Sequence, residues 1–173
     1  MLRDIRFFTD VRLLFIIGVA ACVVDTAGLF VWKQFPRSAA ISQWYDKLGV
    51  FAYTMDVTSI VLGIFLAQVV TSYVGGPWNP AFFCGVAVLI QQVHDILFAK
   101  FVVPVVRNND AIDIMKQYIG HKSSRWILFF DALYMVATSL LAMVLYEQKT
   151  WVSVILLCFA LYVTGYAIFA HAP

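Results

Sequence analysis

Apolar positions gather into five long runs, 13–32, 48–73, 81–106, 126–146 and 151–170, separated by short polar segments. None alternates apolar and polar residues as a half-buried strand would, and each has the length of a helix that crosses hydrocarbon. Lys33 and Pro36 end the first run. The second exceeds the minimum span and crosses with tilt. The third continues through Lys100 and Pro104, and a snorkelling Lys100 moves its hydrocarbon exit back to Ala99. The pattern predicts an all-α fold: an integral membrane bundle of five transmembrane helices plus a short interfacial helix. Residues 1–173 read as one transmembrane domain without internal repeats.

The segments between the runs carry their own signals. Residues 1–12 are mixed in charge. Residues 33–47 read as a polar loop, with Trp44 and Tyr45 as interface anchors at its far edge. Gly75-Gly76-Pro77-Trp78-Asn79-Pro80 reads as a turn, Asn79 capping the third helix and Pro80 filling its first position. Asn79-Pro80-Ala81 also spells the aquaporin tripeptide, but that family uses two copies on half-helices. One copy at the mouth of a full span reads as a cap. In the segment 107–124, Asn109 or Asp110 caps an interfacial helix over 110–119, with Ile112, Met115 and Ile119 on one face. Residues 147–150 form a tight turn.

Composition removes the soluble alternative. Apolar residues make up 62% of the chain and charged residues 13%, with a mean hydropathy of +0.85. Too few polar residues remain to cover a soluble surface, so the lipid bilayer is the first partner. A net charge of +2 without a basic cluster gives no case for nucleic acid. Cys22, Cys84 and Cys158 all lie inside apolar runs without metal-ligand spacing, and read as packing residues. Val19-Ala20-Ala21-Cys22 resembles a lipoprotein cleavage box, but the run continues unbroken past it, unlike a signal segment. Five spans put the termini on opposite faces. Four Lys and Arg accompany the N-terminus and seven the other face, or eight with Lys100, which predicts an outside N-terminus and a cytoplasmic C-terminus.

Polar groups inside the spans are the candidate chemistry. Gln91, Gln92, His94 and Asp95 interrupt the third run, while Asp25, Asp56 and Asp131 interrupt the first, second and fourth. At about 1.5 Å per residue, Asp25, Asp56 and Asp131 lie about 10, 12 and 8 Å from one face, and Asp95 about 8 to 16 Å. Two of these helices run up and two run down, yet the acids fall in one half of the membrane. Each accompanies a stripe of small or polar residues: Gly18, Ala21 and Gly28; Ser59, Gly63 and Ala67; Gly85, Val88, Gln92 and Ala99; Tyr134, Thr138 and Ala142. Such stripes let helices approach closely, so four are predicted to face one another with the fifth outside.

Two functions fit this seam. In one, Asp25, Asp56, Gln91, Gln92, His94, Asp95 and Asp131 bind a proton or small cation, as buried ionisable groups do in coupled transporters and channels. In the other, the same groups bond Ser59, Tyr134 and Thr138 across helix interfaces, and the protein is a structural or assembly component of a membrane. No HExxH or GxSxG motif supports an enzyme. His121 and His171 lie at membrane edges rather than beside His94, so no metal site is predicted, nor any cofactor.

Met55-Asp56-Val57-Thr58-Ser59-Ile60-Val61-Leu62-Gly63, Ile90-Gln91-Gln92-Val93-His94-Asp95-Ile96-Leu97-Phe98 and Ile127-Leu128-Phe129-Phe130-Asp131-Ala132-Leu133 resemble uncharacterised multi-pass membrane proteins of large algal and amoebal DNA viruses. The resemblance covers residues 50–140 and brings no mechanism with it. It implies a virion or assembly membrane, with other membrane proteins, capsid proteins or further copies of the chain as partners.

Overall fold

The computed structural model describes residues 2–34, 39–107, 109–120 and 124–169. It contains α1 (Val11–Gln34), α2 (Ala39–Leu48), α3 (Val50–Val74), α4 (Pro80–Leu97), α5 (Asp110–Gly120), α6 (Ser124–Leu145) and α7 (Thr150–Phe169). Five helices are long and apolar enough to cross a membrane, over Val11–Val31, Val50–Val74, Pro80–Val102, Trp126–Leu145 and Thr150–Phe169. The architecture is all-helical, as the run lengths predict. Pro36, His121 and His171 lie outside the described residues.

Neighbouring helices close a ring in the order α1, α3, α4, α6 and back to α1, while α7 packs on the outer side of α1. Small side chains permit the close approach. A Cβ at Gly28 would stand 1.7 Å from the Tyr134 hydroxyl, and one at Gly63 2.8 Å from the end of Met135. α7 turns Ile155, Phe159, Tyr162 and Tyr166 outward, as the placement of the fifth span predicts. Cys22 and Cys84 are buried packing residues; Cys158 is exposed on the outer face instead.

Four features depart from the sequence reading. Residues 39–48 are helical rather than looped, and Trp44 and Tyr45 are buried inside the protein rather than anchored at the interface. Gly49, at φ +54°, breaks the chain between α2 and α3, a backbone conformation open to glycine at little cost. The third span stops at Val102 through one wide helical turn, Phe98–Val102, because Pro104 lacks an N–H and its ring clashes with the preceding turn. The interfacial helix is present over Asp110–Gly120, capped by Asn109, whose side chain accepts from the Ile112 amide. Its buried face is rotated from the predicted stripe: Ile112 and Ile114 are buried, Met115 is half-buried and Ile119 is exposed. It packs on α2, so of the two surroundings open to its apolar face, lipid or the bundle, it meets the bundle.

The turn before α4 forms as its residues require, with Asn79 accepting from the Phe82 amide and Pro80 in the first turn. The N-terminal residues fold into a strap across the same end of the bundle. Ile5 is fully buried, and its carbonyl accepts from the Gln68 side chain at 2.6 Å. The Leu2 carbonyl accepts from the Trp78 indole, and Arg6 pairs with Asp4 while lying over the Trp78 ring. Asp10 caps α1, accepting from the amides of Arg12 and Leu13. The Tyr146 hydroxyl also donates to Asp10 and, with those amides, holds its carboxyl below the usual range.

Candidate functional site: a polar seam inside the helix ring

Two apolar clusters bound the seam. One, built on Ile16, Ile17, Ile64, Phe83, Met135 and Met143, fills the half near the strap. The other, with Leu29, Trp44, Tyr45, Tyr53, Ile114 and Ile168, closes the opposite end under α2 and α5. Counted from the observed span ends, the four aspartates lie about 7 to 11 Å inside that opposite face. Their carboxyls interact electrostatically in a connected series. Asp25 is in range of Asp56 and Asp131, and Asp131 is in range of Asp56 and Asp95.

Each acid is held differently. Asp25 on α1 is 0% exposed, and neither of its oxygens has a hydrogen-bond partner among the described residues. Asp56 on α3 accepts from the Trp44 indole at 3.1 Å and the Tyr45 hydroxyl at 2.9 Å, both presented by α2. Asp95 Oδ1 on α4 accepts from the Gln91 amide at 2.8 Å and lies 3.0 Å from His94 Nδ1, while Oδ2 meets no donor among the described residues. The Asp131 carboxyl on α6 lies within hydrogen-bonding reach of Asp95. Two carboxylates are both acceptors, so that contact bonds only when a proton lies between them.

The supporting residues tie helices together. Gln91 is buried, donates more weakly to Ser59 at 3.4 Å, and places its oxygen against Gly63. Gln92 donates to the Leu128 carbonyl of α6 at 2.8 Å. Thr138 is fully buried, and its hydroxyl has no partner among the described residues. Tyr134 rests against Gly28, in electrostatic range of Asp25, Asp56 and Asp131. His94 meets its predicted carboxylate but not from within the ring. Its side chain is 47% exposed and stacks on Phe98 along the outer face of α4. The inward face of α4 is Phe83, Cys84, Ala87 and Gln91, about one residue round from the predicted stripe, so Gly85 faces open space. Gly18 on α1 does too. Among the described residues, no three histidines, cysteines or acids converge closely enough to hold a metal ion.

Two polar features escaped the sequence reading. One is the pair of donors Trp44 and Tyr45, whose signal was the amphipathic spacing of residues 39–48. The other joins α1, α3 and α7: the Thr26 and Thr164 hydroxyls lie 2.6 Å apart, and Tyr53 donates to the Cys22 carbonyl at 3.1 Å.

The Gly28 contact gives a direct test of the ring. Gly28→Ala is expected to destabilise the protein by about 1–3 kcal/mol, because Tyr134 or the helix must shift. In a double-mutant cycle with Tyr134→Ala, most of that loss should disappear. Additive losses in detergent unfolding would show that the Gly28–Tyr134 approach is not its cause.

The chain matches no family model, no curated protein and no solved structure.

Proposed function

We propose that this multi-pass membrane protein moves protons, or couples their movement to a small solute, through the Asp25–Asp56–Asp131–Asp95 series. One observation carries the reading: Asp25 is fully buried, and neither of its oxygens has a partner among the described residues. An ionised carboxylate without a partner is not tolerated in such a place, so Asp25 is held with a proton or a bound cation. A bundle that needed only to hold together would be served as well or better by an apolar side chain.

A second reading, a structural or assembly component, is favoured by a different observation. Asp56 has its donors from α2, and Gln92 bonds the α6 backbone, as register-fixing contacts do. The resemblance to viral membrane proteins extends either proposal to a virion or assembly membrane, with the charge bias placing the N-terminus outside. Liposomes carrying the purified protein and a pH gradient separate the readings. Wild type should dissipate the gradient, and Asp25→Asn should slow it at least about tenfold, an intramembrane proton relay being interrupted. Wild-type vesicles as tight as empty ones would leave the structural reading.

A further inference from the structure

A hollow of about 330 Å³ opens between the N-terminal strap and the α6–α7 turn, walled by Arg3, Arg12, Tyr146 and Glu147. We propose that it binds a phospholipid headgroup carrying both a phosphate and an amine. The argument begins with the aromatic ring. The Arg3 guanidinium stands 5.9 Å from the Tyr146 ring centroid and the Arg12 guanidinium 5.3 Å, so one side chain gathers two cations. Arg12 uses one nitrogen to bond the carbonyls of Tyr146 and Gln148, at 3.3 and 2.7 Å, and keeps its remaining N–H groups. Arg3 has the Tyr146 ring as its one partner among the described residues.

Nearby carboxylates offset this pair only in part: Asp10 keeps its negative charge in electrostatic range of Arg12, while no carboxylate is paired with Arg3 among the described residues. Asp4 is engaged by Arg6, and Asp10 by the Tyr146 hydroxyl and two backbone amides. Glu147 is the remaining acid in the wall. Two guanidinium groups suit a phosphate, which accepts from several N–H donors at once. One carboxylate beside them suits an ammonium attached to that phosphate. An aminophospholipid headgroup supplies both charges on one molecule.

Position favours a lipid as the source. Arg12 is the second residue of the first span, and Tyr146 directly follows Leu145, the last residue of the fourth. Trp151 is exposed in the first turn of α7, as aromatic residues are at the headgroup level. A soluble phosphate ester with an amine has the same chemistry, so the test separates the two.

The full chain in nanodiscs of mixed lipid is analysed for retained phosphatidylethanolamine, phosphatidylglycerol and phosphatidylcholine, with free phosphoethanolamine as competitor. Phosphatidylethanolamine should be retained in preference to both others, and Arg3→Gln should weaken its retention about tenfold, the loss of one charge-assisted contact. Glu147→Gln should lower retention of phosphatidylethanolamine while leaving phosphatidylglycerol unchanged or raised. Arg3→Gln is preferred to Arg12→Gln because Arg12 also bonds the carbonyls of the turn after α6. Equal retention of the three lipids, or no effect of Arg3→Gln, overturns the site. Displacement by free phosphoethanolamine at an affinity equal to the lipid's overturns the lipid as its occupant.

Discussion

Asp25→Leu should leave the protein as stable as wild type or more stable, by up to about 1–3 kcal/mol, while stopping proton movement. The sign follows from the partners Asp25 lacks. Removing a buried polar group usually costs stability because a donor or acceptor is orphaned, but neither Asp25 oxygen has a partner to orphan among the described residues. Leucine keeps the branched outline and removes the cost of taking a carboxyl out of water. Chemical or detergent unfolding of the purified protein checks it, read beside the flux assay. A loss of more than about 2 kcal/mol would mean that Asp25 makes contacts worth keeping, as glue does. Stability kept with flux lost is the signature of a group retained for function.

How much of this was legible in the sequence depended on whether an interaction was local. Span number and approximate bounds followed from run length, because hydrocarbon thickness fixes a helix length whatever its neighbours are. The Asn79 and Asn109 caps were legible because a cap is decided within four residues. The shared depth of the acids was legible too, since depth is residue count along a straight helix. Rotation was not. The inward face of α4 is set by Gln91 fitting against Gly63 of α3, and no pattern within residues 80–97 reveals that neighbour. For the same reason His94 was placed inside when it lies on the outer face. The strap was invisible because its bonds from Gln68, Ser72 and Trp78 go to backbone carbonyls, which every sequence possesses.

At Asp56 the same substitution should have the opposite sign. Asp56→Leu leaves the Trp44 indole and the Tyr45 hydroxyl without their acceptor, and both side chains are buried. Each orphaned donor costs about 1–3 kcal/mol when it stays dry. α2 has an escape, however: it is short, lies outside the spans and can lift its aromatic residues toward water. Undocking therefore limits the loss to about 2–3 kcal/mol and concentrates it in one place. Amide exchange should rise sharply over residues 43–48 and, because α5 packs on α2, over 110–117, while α6 and α7 stay protected. Asp56→Asn keeps an oxygen acceptor and should cost less than half as much. If Asn proves as damaging as Leu, the carboxylate's charge rather than its acceptor geometry holds α2.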